Sequence, residues 1–172
     1  MRVSLILTVL NEGDSLRRLL DSLAAQTRPP DEIVVADGGS TDETISILRE
    51  YSTRLPIRIL AAPDTNISQG RNAAIREATG EIIAVTDGGV RADKRWLEEL
   101  VMAFEAGEHD GGGAGGEGNT SPVTRHAPHA VAGFFAAEGE TPFEIAMGAT
   151  VLPEAQDVNP KAYLPSSRSV AF

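Results

Sequence analysis

In Ile82-Ile83-Ala84-Val85-Thr86-Asp87-Gly88-Gly89 an apolar run ends in one carboxylate and two glycines. A continuous run of branched apolar residues is typical of a strand that a parallel sheet buries on both faces. Ligands of open α/β sheets bind outside the carboxyl ends of such strands. The stretch therefore predicts a buried parallel strand that carries Asp87 to a ligand-binding edge.

Three further segments have the same form, a short apolar run followed by turn-forming residues. The runs are 3–9, 33–35 and 57–60, and the turns after them contain Asn11-Glu12-Gly13, Asp37-Gly38-Gly39-Ser40 and Pro63-Asp64. Apolar repeats at helical spacing lie between the runs, and strands that alternate with helices form parallel sheets. We therefore predict an α/β fold, a mostly parallel sheet flanked by helices, in which four strand ends converge on one cleft.

Polar residues mark where two of the helices begin. Ser40 and Glu43 have the spacing of a capping box, in which the serine accepts from the third helical amide and the glutamate reaches back to the cap. Such a turn would leave amide groups beside Asp37 that could receive a phosphate, although capping alone explains Ser40. Asp93 is predicted to cap the helix that follows it.

Composition limits the classes of protein that this chain can represent. Its 172 residues are 41% hydrophobic, which is enough for one substantial core. The formal net charge of −10 argues against a general nucleic-acid binder, because neutralising phosphates requires clustered Lys and Arg. The chain has no cysteine, so disulfides and thiolate metal sites are excluded.

The sequence carries no signal that would direct it out of the cytoplasm. No apolar run approaches the roughly 20 residues that cross a bilayer, and the first residues enter a strand without a signal-peptide pattern. We expect a cytoplasmic location, and peripheral association with the inner face of the membrane stays open.

The composition changes after residue 106. The residues that follow are rich in glycine and nearly without apolar side chains, so little burial would offset the entropy lost on ordering. We predict an α/β core over 1–106, a flexible loop over 107–129 and a return of order over 130–172. The elements predicted in the last part are a strand at Val131–Phe135, a short helix over Thr141–Met147 and a strand-like tail.

Five motifs follow one another between Met1 and Leu100. They are Leu7–Glu12, Asp31–Asp42, Gly70–Ile75, Ala78–Glu81 and Asp87–Gly89. In this order and spacing they resemble the family 2 glycosyltransferases, which have the Rossmann-like GT-A fold. The resemblance implies that a nucleotide-diphosphate-sugar donor binds along the strand ends and that its sugar passes, with inversion, to an acceptor hydroxyl.

The resemblance also implies roles for individual residues. The residues that it brings to the donor are Thr8, Asn11, Glu12, Asp37, Gly38, Arg71, Asp87 and Gly89. The first three would lie near the base and ribose, and Asp37 would contact the nucleoside. From the sequence alone Arg71 is an ordinary exposed residue at a helix start, whereas the resemblance implies that it approaches the donor.

A divalent cation, Mg²⁺ or Mn²⁺, is the cofactor that the resemblance implies, with Asp87 as its ligand. Two positions depart from the family: Gly89 stands where the second acid of the Asp-x-Asp signature is expected, and Gly38 replaces an acid common after Asp37. Mg²⁺ keeps several waters and accepts phosphate oxygens, so Asp87, the diphosphate and water could complete its shell. Asp93 could add a further ligand beside Asp87, although its position also suits a helix cap.

The sequence identifies no catalytic base. Inverting transfer needs a carboxylate that takes the acceptor proton, and the family supplies it from the acceptor-binding half, beyond the matched motifs. The acids available beyond the matched motifs have no motif around them that would select one as the base: Glu138, Glu140, Glu144 and Glu154. We therefore expect 1–106 to be the nucleotide-sugar-binding part and 130–172 to be the start of an incomplete acceptor-side region; the acceptor itself stays unknown.

Three other classes compete with this interpretation. A nucleotidyltransferase needs a basic glycine-rich loop after the first strand, whereas Leu10–Asp14 is acidic. A dinucleotide-dependent oxidoreductase needs a Gly-x-Gly-x-x-Gly turn, which Asp37–Asp42 does not contain. A non-catalytic nucleotide-sugar-binding or protein-interaction module of the same fold stays open, because the second metal acid and the base are missing.

Overall fold

The computed structural model describes residues 1–108, 131–132 and 169–171. Strands and helices alternate along the first part of the chain. The strands are β1 (Val3–Val9), β2 (Glu32–Asp37), β3 (Ile57–Ala61) and β4 (Ile82–Thr86), followed by the short β5 (Val131–Ala132) and β6 (Ser169–Ala171). The helices are α1 (Ser15–Ala24), α2 (Thr44–Tyr51), α3 (Ile67–Glu77) and α4 (Trp96–Glu108).

The six strands within the described residues form one sheet, in the order β3-β2-β1-β4-β6-β5. The first four strands are parallel, with Leu5 of β1 opposite Ile33 of β2 and Ala84 of β4. The two short strands are antiparallel, and Val170 of β6 lies opposite Val85. The predicted mostly parallel sheet flanked by helices is confirmed. Because the chain runs outward from β1 to β3 and then returns to β4, the strand order reverses between β1 and β4, where open α/β sheets bind ligands.

Both faces of the sheet are covered by helices. The leucines of α1 are completely buried against one face, together with residues of α2 and α4. These leucines are Leu16, Leu19, Leu20 and Leu23. Burying such a side chain contributes about 1.5–3 kcal/mol, so the predicted helical repeats act as core. The opposite face buries Ile6, Val34 and Val85 beneath α3.

Helix α3 lies close to the sheet because its buried residues are small, Gly70 and Ala74. A Cβ atom added at Gly70 would lie 3.3 Å from Cγ2 of Thr8, tighter than an ordinary contact. The helix begins in a capping box, in which Asn66 accepts from the Gln69 amide at 2.9 Å and Gln69 accepts from the Asn66 amide at 3.0 Å. The first turn of α3 is therefore held at a defined position over the carboxyl end of β1.

The capping box predicted at Ser40 and Glu43 is wrong. Helix α2 begins at Thr44, and its cap residue Glu43 makes no side-chain cap bond. The Ser40 hydroxyl instead accepts from the backbone amide of Asn11 at 3.0 Å, because the β1 turn lies beside it in the sheet. The Asp93 side chain accepts from the Arg95 amide at 2.9 Å, in the turn directly before α4 begins at Trp96.

The last helix of the described residues reaches into the segment predicted as a loop. Helix α4 continues to Glu108, so residues 107 and 108 are helical and do not belong to the predicted loop. The rest of 107–129 and the helix predicted over 141–147 lie outside the described residues. Strand β5 falls within the predicted Val131–Phe135, and β6 falls within the strand-like tail. Within the described ranges, no helix has the length and apolar character needed to span a membrane.

A polar network ties three strands together at the amino ends, opposite the predicted site. Oε1 of Glu32 accepts from the Ser4 hydroxyl at 2.5 Å and from the Thr79 amide at 2.6 Å, and the Gly80 amide donates to the Ser4 hydroxyl at 2.7 Å. Burial raises the pKa of Glu32, but the hydrogen bonds from Ser4 and Thr79 outweigh it and bring the pKa to about 2. The carboxylate therefore stays charged while it joins β1, β2 and the entry to β4.

Candidate functional site

The structure brings all of the predicted donor residues to the carboxyl edge of the sheet. Thr8 lies near the end of β1, Asp37 is the last residue of β2, and Asp87 directly follows β4. Asn11 and Glu12 occupy the turn after β1, and Gly38 and Gly89 lie in the turns after β2 and β4. Arg71 is in the first half of α3, which covers the end of β1. The set therefore surrounds the point between β1 and β4 where the strand order reverses.

Asp37 organises the turn that follows β2. The residue is 8% exposed, and its carboxylate accepts from the Gly39 amide at 3.1 Å and from the Ser40 amide at 3.2 Å. Gly39 has a φ of +102°, a left-handed backbone that favours glycine. A carboxylate has about four acceptor positions, so these bonds leave capacity for a ligand donor.

Asn11 joins the β1 turn to the β2 turn. Its side-chain Oδ1 accepts from the backbone amide of Thr41 at 2.8 Å, and its own backbone amide donates to the Ser40 hydroxyl at 3.0 Å. The backbone of Asn11 has a φ of +54°, a conformation that asparagine adopts more readily than most non-glycine residues. Asn11 therefore holds the turns after β1 and β2 together through both its side chain and its backbone.

Glu12 reaches from the β1 turn to the β4 turn. Its amide donates to the hydroxyl of Thr44 at 2.9 Å, which anchors the turn to α2. A Cβ atom added at Gly88 would lie 2.9 Å from Cδ of Glu12, so the carboxylate lies directly against this glycine. The two turns that border the strand-order reversal are thus in contact, and Gly88 permits the contact because it has no side chain.

Leu10 is a residue at this edge that the sequence analysis did not select. Its side chain is 55% exposed, and it lies beside Gly38, where an added Cβ atom would be 3.6 Å from the Leu10 Cβ. Ligand pockets are lined mostly by apolar side chains with a few polar groups among them. The signal that could have found Leu10 is a large apolar residue within an otherwise polar turn.

Arg71 and Asp87 form an ion pair across the edge. The Arg71 Nη2 and the Asp87 Oδ1 are 3.0 Å apart, and the two side chains are 18% and 33% exposed. Hydrogen bonds that involve charged groups contribute about 1.5–3 kcal/mol, a range that solvent screening reduces at this exposure. Arg71 is therefore not an ordinary exposed residue at a helix start, because its guanidinium is held against the predicted metal ligand.

The chemistry of the predicted cation can be tested against these side chains. In the part of the chain that the structure describes, no three His, Cys, Asp or Glu residues are grouped as metal ligands would be. Asp87 is a single carboxylate, and Gly89 has no side chain although the space around its Cβ position is open. These residues fit a cation that takes most of its oxygens from a bound diphosphate and from water.

A comparison of the whole sequence with known families agrees with the predicted fold and motifs. The family model described as glycosyl transferase family 2 matches residues 4–148. The chain belongs to glycosyl transferase family 2. This membership extends the resemblance carried by the five motifs into the residues beyond Leu100.

Two similar members of glycosyl transferase family 2 come from a bacterium and an archaeon. Validoxylamine A glucosyltransferase from Streptomyces hygroscopicus subsp. limoneus is 35% identical over 105 residues, which are 59% of this chain and 23% of that protein. Glycosyltransferase AglE from Haloferax volcanii is 35% identical over 106 residues, which are 59% of this chain and 35% of that protein. The chain therefore spans about a quarter to a third of the length of these relatives.

Solved structures of family 2 glycosyltransferases share the fold. S. aureus TarS in complex with UDP-GlcNAc superposes with a TM-score of 0.57 at 29% identity, covering 63% of this chain and 32% of that one. Mannosyltransferase PcManGT from Pyrobaculum calidifontis, in complex with GDP-Man and Mn²⁺, gives a TM-score of 0.54 at 31% identity and covers 58% and 31%. The predicted GT-A fold is confirmed.

Proposed function

We propose that this chain is the donor-binding part of a glycosyltransferase that passes a sugar from a nucleotide-diphosphate-sugar to an acceptor hydroxyl with inversion. The observation that carries the proposal is the convergence of Glu12, Asp37 and the Arg71–Asp87 pair at the strand-order reversal of a family 2 fold. Similar proteins bind UDP-GlcNAc or GDP-Man, which supports a donor of this class.

The nucleoside binds at the turns after β1 and β2. Asp37 is held by the Gly39 and Ser40 amides, so its remaining acceptor positions face a base or ribose donor without a cost of reorienting the carboxylate. Leu10 offers an apolar surface for the base beside Gly38. Asn11 keeps the two turns together and so preserves the shape of the nucleoside site.

The diphosphate lies toward Arg71 and Asp87. Departure of the diphosphate develops negative charge, and a guanidinium that is already held at this edge stabilises that charge without reorganisation. Asp87 is the residue that would hold a divalent cation there. When bound, the cation supplies further positive charge for the departing diphosphate.

The catalytic base is outside the residues to which we assign a role. Because the chain spans about a quarter to a third of the relatives, we place the acceptor site and its base in sequence that the α/β core does not contain. A general base contributes roughly 10²–10⁴-fold to such a reaction. The α/β core therefore accounts for donor binding and for support of the leaving group.

Calorimetric titration with UDP, GDP and ADP tests the proposal. Asp37→Asn keeps one oxygen for the Gly39 and Ser40 amides but removes the charge, and we expect it to weaken nucleotide binding by about ten- to a hundredfold. Glu81→Gln removes the same charge at the opposite edge of the sheet and should leave the affinity unchanged. Equal affinities of wild type and Asp37→Asn, with the fold intact, would exclude Asp37 from the site.

A non-catalytic nucleotide-sugar-binding module is the second candidate, and the glycine at position 89 favours it because the second metal acid is missing. Both candidates bind the nucleotide, so binding alone does not separate them. Incubation with UDP-GlcNAc or GDP-Man and Mn²⁺ does, because an enzyme core releases the nucleoside diphosphate by slow hydrolysis of the donor. A binding module releases none.

A further inference from the structure

We propose that Gly88 is a positioning residue for the donor: because it has no side chain, the Glu12 carboxylate can lie where it accepts from a ribose hydroxyl of the nucleotide. This proposal rests on the proposed function and names a residue that acts through Glu12 on the same site. Its starting observation is that a Cβ atom added at Gly88 would lie 2.9 Å from Cδ, 3.1 Å from Cγ and 3.1 Å from Oε2 of Glu12.

The backbone around Glu12 is fixed by hydrogen bonds to neighbouring residues. The amides of Glu12 and Gly13 both donate to the hydroxyl of Thr44, at 2.9 and 3.1 Å, and Thr44 is completely buried. The Ser15 hydroxyl donates to the Glu12 carbonyl oxygen at 2.6 Å. Because the backbone could shift only by breaking these bonds, an obstacle at Gly88 would displace the Glu12 side chain instead.

Gly88 supplies space rather than backbone freedom. Among the described residues, the glycines with a positive φ are Gly13 and Gly39, so the φ of Gly88 does not itself require glycine. Gly88 is buried, and the atoms nearest to its Cβ position are the end of the Glu12 side chain. The adjacent Gly89 differs, because nothing lies within 4 Å of its Cβ position. The contact with Glu12 is therefore specific to Gly88.

The Glu12 carboxylate keeps acceptor capacity for a ligand. Within the described residues it accepts from the Ser15 hydroxyl at Oε2, at 3.3 Å, and no donor there reaches Oε1. An ionised carboxylate only accepts hydrogen bonds, so its partner on a nucleotide is a hydroxyl or an N–H group and not a phosphate oxygen.

The place of Glu12 in the sheet favours the ribose hydroxyls. The turn after β1 lies between the end of β2, where we place the nucleoside, and the end of β4, where we place the diphosphate. The ribose joins these two parts of the nucleotide. Carboxylates at the ends of parallel strands accept from ribose hydroxyls in dinucleotide-binding folds. We therefore assign a ribose hydroxyl to Glu12 and the position of its carboxylate to Gly88.

Calorimetric titration with UDP, 2′-deoxy-UDP and 3′-deoxy-UDP tests the proposal, with GDP and its deoxy analogues if the site takes guanine. Wild type should bind at least one analogue about tenfold more weakly than the parent nucleotide, since a hydrogen bond to a charged group is lost. Gly88→Ala turns the carboxylate away, so it should bind the parent about tenfold more weakly and the same analogue almost as well as the parent. Circular dichroism checks that the variant is folded.

Glu12→Ala provides the internal control, because it removes all three atoms that an added Cβ at Gly88 would meet. Adding Gly88→Ala to Glu12→Ala should therefore change neither the affinity nor the preference for the parent nucleotide. Glu81→Ala, at an exposed position of the opposite edge, should keep the wild-type preference. Glu12→Asp draws the carboxylate back from Gly88 by one carbon, should lower the preference in the same way, and serves in the test if Gly88→Ala does not fold.

The proposal is overturned if wild type does not distinguish the deoxy analogues, or if Gly88→Ala keeps the wild-type preference. It is also overturned if Gly88→Ala weakens binding as much in the Glu12→Ala background as in wild type, because the effect would then not pass through Glu12. In each of these outcomes nucleotide still binds, so the proposed function stands. If wild type binds none of UDP, GDP and ADP, the proposed function is refuted, and the role of Gly88 with it.

Discussion

Protonation of Glu32 should weaken the hydrogen-bond network that links the parallel strands on which the candidate site lies. The carboxylate accepts from Ser4 on β1 and from Thr79, which precedes β4. These bonds favour the charged form, so that the pKa of Glu32 falls from 4.5 to about 2 although burial opposes the change. The Glu32 side chain is only 12% exposed, so water does little to replace these partners.

The size and the pH range of the effect follow from this pKa. The folded pKa lies below the unfolded one, so the stabilisation is complete above about pH 5 and is lost as the pH falls toward 2. Each pKa unit corresponds to about 1.4 kcal/mol, and the difference between 4.5 and about 2 therefore corresponds to about 3 kcal/mol. This is a large fraction of the stability of an ordinary domain.

Urea unfolding at a series of pH values, followed by circular dichroism, measures the effect with the variant Glu32→Gln. The glutamine keeps an oxygen for Ser4 and Thr79 but does not titrate, so its curve should lack about 3 kcal/mol of the acid-induced loss seen in wild type. Glu81→Gln, at a 69% exposed side chain, should follow the wild-type curve. If Glu32→Gln loses as much stability as wild type between pH 5 and 2, the network does not hold the charge as we argue.

Three further predictions concern the site and its support. Gly89→Asp should tighten Mn²⁺ binding in the presence of UDP about tenfold, because nothing lies within 4 Å of its Cβ position; unchanged Mn²⁺ titrations would show that the added acid does not reach the cation. The 172-residue chain should hydrolyse a donor sugar slowly but transfer it poorly, since it spans a minor part of its relatives; robust turnover onto a defined acceptor, followed by chromatography, would contradict this. Gly80→Ala should cost about 3 kcal/mol in urea unfolding, because its Cβ would lie 2.5 Å from the backbone nitrogen of Ser4, and a wild-type midpoint would refute the contact.

Local sequence patterns are enough to predict the strands and helices and the edge of the sheet at which the polar residues gather. The apolar run that ends at Asp87 and the leucine repeat of α1 are local patterns, and burial on one or both faces follows from their period. The same patterns place the ends of β1, β2 and β4 on one side of a parallel sheet. The family motifs at these ends then indicated which polar residues to select.

The contacts among these residues depend on the tertiary structure. The Ser40–Glu43 spacing fits a capping box, but the Ser40 hydroxyl accepts a hydrogen bond from the backbone amide of Asn11, 29 positions earlier in the chain. The Glu32 network and the contact of Glu12 with Gly88 likewise join distant segments. These contacts depend on the order of the strands and on how closely α3 packs, neither of which a local pattern contains. Arg71 pairs with Asp87 for the same reason. Helix α3 packs closely because its buried residues are small, and Arg71 thereby approaches a strand end 16 positions away.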